Sequence, residues 1–385
     1  VRFPYVFGLG LMALASYLDN VRGPLFPLIC RSLNLSYGHA SWLFTAGNLA
    51  AIAVSFWLLA ATKRHGERTL VEASLVLAAS AVAASLLVTN FGGLIAFAAL
   101  LGASIHAIGA LSNLWTLRHS RAEELGRRLC GLHMFYGFAS MLGPMAVDAL
   151  LGVSPSWRWP LYLAVPVVPA MFWFVRREPR PAALSVAVTP ETAVDAVPSW
   201  TDRGLLLGTI CFYVAAEVFT SAWLVAFLVG TRGMTVEQAS PYLAGFFLCL
   251  GLSRALCFWR LDEKREQAAL FAALVAAAIA SFLGHRVSPV FFAFVGLLGP
   301  FFPVFMARAS HRYPTYSKQI TQQLLLAMQA TLAVGHWLFG RAADRFGLGT
   351  TYYAPLVGIA FVLLGVALLE LRPAAGRLTA LRSRV

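Results

Sequence analysis

The stretch YLDNVRGPLFP, residues 17–27, decides how the chain is to be read. It places Asp19 and Arg22 inside an apolar run from Phe3 to Ile29, followed at once by Gly-Pro and a second proline, and Gly23 to Pro27 are expected to form a hinge. Arg2 ahead of that run and Ala13-Leu14-Ala15 within it have the look of a secretion signal with its cleavage site. The apolar pattern nevertheless continues past Asp19, and eleven more runs follow, so the reading is a retained first membrane helix. Asp19 and Arg22, three residues apart, then share one helical face with about 4.5 Å of rise between them.

Composition extends that reading to the whole chain. Of 385 residues, 59% are hydrophobic and only 12% charged, against roughly 25% charged in soluble domains. A membrane span needs about 20 apolar residues, because each backbone N–H and C=O must be satisfied within the segment. Runs of that kind are expected at about 4–29, 40–62, 69–89, 92–117, 128–151, 159–175, 204–229, 238–259, 267–284, 288–307, 319–341 and 350–371. The fold class is therefore an all-α integral membrane protein with twelve transmembrane helices.

The net charge of +13 is a topology signal rather than a nucleic-acid footprint. With the N-terminus in the cytoplasm, 22 of the 30 Lys and Arg residues fall on that side, six outside and two within spans. The positive-inside rule then puts both termini in the cytoplasm, with membrane lipid and its anionic inner leaflet as the partner of the basic side. Residues 177–203 form the longest polar connection, rich in Pro, Ala and Thr. That connection divides a six-helix bundle at 1–176 from a second at 204–372, and 373–385 is a cytoplasmic tail. Two bundles of six suggest a transporter whose site lies between them near the midplane.

The motifs name a family. Gly340-Arg-Ala-Ala-Asp344-Arg345-Phe-Gly347 matches the G-x-x-x-D-R-x-G signature of the major facilitator superfamily, which the chain resembles. The corresponding first-half stretch, Leu59 to Gly66, keeps only Arg64 and Gly66 and has Lys63 where the signature has Asp. The intact copy is expected after span eleven, outside the cell, whereas the superfamily's familiar copies lie in cytoplasmic loops. The fucose permease-like sugar:proton symporters carry such a motif in their last loop, and other pieces are similar to theirs. These are Phe212-Tyr-Val-Ala-Ala-Glu217 with Trp223-Leu224, Gly299-Pro-Phe-Phe-Pro303, His133-x-x-Tyr136-Gly137 with Gly143-Pro144, and Ser156-Trp-Arg-Trp159. The resemblance implies alternating access driven by a proton gradient, no bound cofactor, and spans one, four, seven and ten lining the cavity.

Charges inside a bilayer cost roughly 2.5–3.5 kcal/mol each, so embedded ones are functional candidates. For Asp19 two readings stand: a structural ion pair with Arg22, or a proton site balanced between desolvation and that arginine. The resemblance favours the second, since the symporters have a proton-coupling Asp there. They also have an acid in span four a few residues before the position of Asn113, where this chain has none; His106 is the residue able to replace it. A neutral, hydrogen-bonded His106 is the alternative. Glu217, with Asp19 and His106 a proton-coupling candidate, faces the cavity or an arginine of a neighbouring helix, as a substrate contact or a structural tie, and Arg254 gates or latches helices. Arg22, Asn113, His133, Tyr136, Trp223, Phe301, Phe302, Gln322 and Gln329 offer the hydroxyl-binding and stacking groups a sugar needs. Gly340, Asp344 and Arg345 join Arg254 as gating candidates.

No P-loop and no metal-ligand cluster occurs in the sequence, and Gly8-x-Gly10-x-x-Ala13 lacks the strand a dinucleotide fingerprint requires. The five cysteines are scattered without a C-x-x-C pair, as small core residues. The expectation is a non-enzymatic, monomeric secondary transporter of a small polar, sugar-like solute in a bacterial inner membrane. An anion or amphiphile porter and a transporter-like sensor are the alternatives.

Overall fold

The computed structural model describes residues 3–120, 122–177, 198–260 and 266–371. Most of the expected connection at 177–203, and the expected tail at 373–385, lie outside them. The described residues are helical throughout, with no strand among them. In chain order the helices are α1 (Phe3–Asn20), α2 (Arg22–Ser32), α3 (Tyr37–Ala40), α4 (Trp42–Arg64), α5 (Glu67–Ala84), α6 (Phe91–Arg118), α7 (Ala122–Ser140), α8 (Leu142–Leu151), α9 (Trp159–Tyr162) and α10 (Ala164–Arg177). The second half follows with α11 (Trp200–Arg232), α12 (Val236–Arg260), α13 (Glu266–Arg286), α14 (Phe291–Phe294), α15 (Phe301–Arg312), α16 (Ser317–Phe346), α17 (Leu348–Thr351) and α18 (Ala354–Leu371).

Among the described residues, 10 helical segments are long and apolar enough to cross a membrane. The segments expected as spans one and eleven are helical but fall outside that group. Asp19, Asn20 and Arg22 interrupt the first, and α16 opens on Ser317, Lys318, Gln319, Gln322 and Gln323. Span eleven was expected to stop at 341, yet α16 runs on to Phe346. Asp344 and Arg345 therefore stand on the last turns of a helix rather than in a loop.

Prolines set most of the interruptions. A proline ring clashes with the carbonyl four residues earlier and offers no N–H to it, so a helix is disturbed at that earlier residue. Asn20 precedes Pro24 by four and ends α1; Ser140, Tyr162 and Thr351 stand in the same relation to Pro144, Pro166 and Pro355, and end α7, α9 and α17. The expected hinge at Gly23 to Pro27 is thus displaced. The interruption falls at Val21, and Gly23 to Pro27 lie inside α2. Val21 keeps a helical backbone (φ −68°, ψ −23°) and its N–H still donates to Tyr17 O at 3.0 Å, so the chain bends without breaking.

Within the first half α6 packs on α1, α4 and α5, and within the second α11 packs on α16 and α18. Between the halves, α2 meets α11, α16 lies along α3 and α4, and α7 and α8 lie along α12. The α4–α6 crossing is backbone on backbone: a Cβ added at Gly102 would sit 2.3 Å from Gly47 Cα.

Candidate functional site

The bend at Val21 is wedged by the other half of the pattern. Gly143, just before Pro144, lies against it so closely that a Cβ there would approach Val21 N to 2.8 Å. Two interrupted helices therefore meet, and their polar side chains converge. Arg22 bonds the Asp19 carboxylate through Nη2 and donates from Nε to Asp19 O at 3.0 Å. Tyr136 donates its hydroxyl to the other carboxylate oxygen at 3.0 Å, while Asn20 Nδ2 donates to Tyr136 Oη (3.1 Å) and Ser140 Oγ (2.8 Å). The two charges differ in reach: the Asp19 side chain is 28% exposed and the Arg22 side chain 11%. Arg22 is covered by Phe44, whose ring lies 5.4 Å from the guanidinium carbon.

A second charged cluster occupies the other half. Of the two partners expected for Glu217, the structure shows the arginine: Arg254 Nη2 donates to Oε1 at 3.3 Å, and Tyr213 bonds Oε2. The same arginine repairs a proline defect. Pro303 has no N–H to give Gly299 O, and Arg254 Nε donates there at 3.0 Å, whereas Gly296 O, which Pro300 cannot serve, accepts from Gly299 N at 3.0 Å. Arg254 also reaches His133 O in the opposite half, at 3.5 Å. Tyr213 is stacked on Phe301, centroids 4.6 Å apart.

Trp223 is fully buried where the halves meet, with Phe26 4.6 Å away and its indole N–H donating to His336 Nδ1 at 3.1 Å. That bond leaves the ring proton of His336 on Nε2. Phe44, the ring that covers Arg22, is also stacked on His336, 4.6 Å between centroids. Nearer Asp344, the carboxylate accepts from Tyr37 N (2.9 Å) and Gly38 N (2.8 Å) at the start of α3, across the two halves. Gly340 lies on the same contact; a Cβ there would come within 2.7 Å of Ser41 Cβ. Arg345 takes no part in it and covers its neighbour Phe346, 5.3 Å from the ring centre.

The remaining candidates divide. His106 is tied to Ser55, Nε2 to Oγ 2.7 Å, and is half-buried. Among the described residues, Asn113 donates only within its own helix, to Gly109 O at 2.9 Å. His133 meets Phe302 edge to face at 6.3 Å, both half-buried. Gln329 has a buried Oε1 with no partner among the described residues, while Gln322 is exposed. Trp223 and Phe301, expected to stack on a ligand, are instead packed away at 0% and 1% exposure. Aromatic residues at helical spacing fill interiors by the same chemistry that lets them hold sugars, and here burial wins.

Sequence reasoning passed over Tyr213, Asn20, Ser140, Ser55, Phe44 and His336. Tyr213 was legible, four residues before Glu217 and hence on the same helical face. The others act through contacts between helices distant in sequence, for which no local signal exists.

Paired embedded charges beside proline-interrupted helices, held between two packed halves of a helical membrane protein, define a transporter-type architecture. The chain belongs to the Major Facilitator Superfamily, whose family model matches residues 7–322. No curated protein matches it by sequence. Similar solved structures include a D-xylose–proton symporter (13% identity, TM-score 0.74, covering 96% of this chain and 98% of that one). The nucleoside transporter NupG is similar at 13% identity and TM-score 0.70, over 94% and 99% of the two chains. The E. coli fucose:proton symporter FucP is similar at 15% identity and TM-score 0.61, over 96% and 98%. At these identities the likeness is one of fold. The resemblance to the fucose permease-like group thus reaches superfamily membership and a shared fold with sugar and nucleoside transporters.

Proposed function

We propose that the chain is a secondary active transporter that moves a small polar, sugar-like solute by alternating access, coupled to protons through Asp19. Its twelve segments are read as twelve spans with both termini cytoplasmic, in a bacterial inner membrane, acting as a monomer without a cofactor. The observation that carries the reading is the Asp19 carboxylate: at a helix bend, more open than its partner, held by Arg22 and by Tyr136. Protonating Asp19 removes the negative charge that holds Arg22 and turns an ion pair into a weaker bond between a guanidinium and a neutral carboxyl. The arginine is then free to rearrange against the second half, where Trp223 and His336 close on Phe44 of the first. Binding groups for hydroxyls come from Asn113, His133, Tyr136, Gln322 and Gln329. Phe302 remains the aromatic with an open face, and Trp223 and Phe301 become available only if the halves separate.

The sugar-like reading is favoured over an anion porter because Arg22 and Arg254 each already face a carboxylate. Liposomes with an imposed pH gradient test it. Wild type is expected to accumulate at least one member of a panel of sugars and nucleosides, while Asp19→Asn exchanges that solute without accumulating it. Equal accumulation by both ends the coupling claim, and binding without any exchange favours a transporter-like sensor.

A further inference from the structure

Between α5 and α10 runs a groove of about 540 Å³ on the outer face of the first half, away from the two charged clusters. Val76, Ala79, Val168, Pro169, Phe172 and Trp173 line it, and Arg176 closes one end. The lining belongs to two segments apolar enough to span a membrane, Glu67–Leu87 and Trp159–Arg177, so hydrocarbon is the medium it meets. Val76 and Trp173 are about half exposed, at 54% and 48%.

The end of the groove is strongly basic. Arg68 and Arg176 both donate from Nε to one oxygen of Glu72, at 3.3 Å and 3.4 Å, and Arg68 Nη2 also bonds Arg176 O at 2.9 Å. Arg177 has no carboxylate among the described residues; its guanidinium lies 3.8 Å from the centre of the Trp173 ring. Among the described residues this end of the groove thus carries three guanidinium groups, Arg68, Arg176 and Arg177, and the Glu72 carboxylate, a surplus of two positive charges. Arg176 is 62% exposed on its side chain and lies 4.8 Å from the Phe172 ring. Both exposed arginines therefore sit directly on the aromatics that line the groove. Charge is stacked above an apolar channel in the order of a lipid headgroup above its chain.

We propose that this groove binds one anionic phospholipid, its phosphate between Arg176 and Arg177 and one acyl chain along Val76, Ala79, Val168 and Pro169. Arginine forks match phosphate oxygens in pairs, and cationic residues at the membrane surface attract anionic headgroups. Glu72 keeps Arg68 and Arg176 in register at the mouth. The assignment needs the segments to lie in a membrane but does not depend on transport or on Asp19.

Purified protein in detergent, offered phosphatidylglycerol or phosphatidylcholine with identical chains, tests it by native mass spectrometry. Wild type is expected to retain phosphatidylglycerol in preference to phosphatidylcholine, and the Arg176→Gln/Arg177→Gln variant to lose roughly thirtyfold in that preference, as two surface cations would supply. Ala79→Trp, which fills the channel from an exposed position, is expected to lower retention of both lipids. Equal retention of the two lipids by wild type overturns the proposal, as does an unchanged preference in the double arginine variant. Glycerol 3-phosphate is expected not to compete; displacement of the lipid by it at equal concentration would mean a free-phosphate site and would also overturn it. Should the arginine variant aggregate, Ala79→Trp decides alone, and undiminished phosphatidylglycerol retention by it rejects the site.

Discussion

Asp19 and Glu217 make nearly the same bonds, each to an arginine and to a tyrosine hydroxyl, yet they differ in what they leave open. Asp19 keeps 28% of its side chain exposed, whereas Glu217 keeps 15% and its arginine only 10%. The first suits a group that exchanges a proton, and the second a fixed tie between α11, α12 and the proline-freed carbonyl of Gly299. Glu217→Gln is accordingly expected to strand the Arg254 charge and lower stability by about 3 kcal/mol, read as a fall in melting temperature of the detergent-solubilised protein. Replacing both Glu217 and Arg254 with leucine recovers part of that loss, because no charge is left buried, but Gly299 O is again unpaired. Asp19, Glu217 and Arg254 were legible as candidates from their hydrophobic surroundings alone. Their partners were legible only where they lay within about one turn of sequence, as Arg22 and Tyr213 do; Tyr136 arrives from elsewhere in the chain.

At the scale of helices, the sequence tells where bends must lie, provided the proline is read through the residue it obstructs. A hinge placed on Gly23 to Pro27 by the prolines themselves is wrong by one turn, since the strain is felt at Asn20 and Val21. That shift is what puts the bend between Asp19 and Arg22. Close helix crossings are the opposite case. Gly102 and Gly109 are indistinguishable in the sequence, both small residues in the apolar helix α6, but only Gly102 meets another backbone. Gly102→Ala is expected to cost about 2 kcal/mol through forced separation of α4 and α6, while Gly109→Ala, with nothing within 4 Å of the added carbon, leaves the melting temperature unchanged or raises it slightly.

Across the whole molecule the two halves are joined by contacts of unlike kinds: buried aromatics around Trp223, the Arg254 reach to His133, and the Asp344 carboxylate on two N–H groups of α3. The last suits a latch, for a carboxylate at a helix start gains about 1 kcal/mol from charge-assisted bonds and the helix dipole. In a variant freed of the five native cysteines and carrying Ser41→Cys, adding Asp344→Asn is expected to speed thiol labelling roughly fivefold, because Ser41 lies wholly buried beneath Gly340. An unchanged labelling rate would remove Asp344 from gating. The partners of this latch are main-chain atoms, and that changes how the protein can drift under mutation. Any residue except proline at positions 37 and 38 still presents the N–H groups, although Gly38 must stay small, an added Cβ falling 2.6 Å from Asp344 Oδ2. For the latch bonds themselves that side of the joint is indifferent to most chemistry and asks only for room, so their genetic fragility is gathered into a single acid and the two glycines that let it approach.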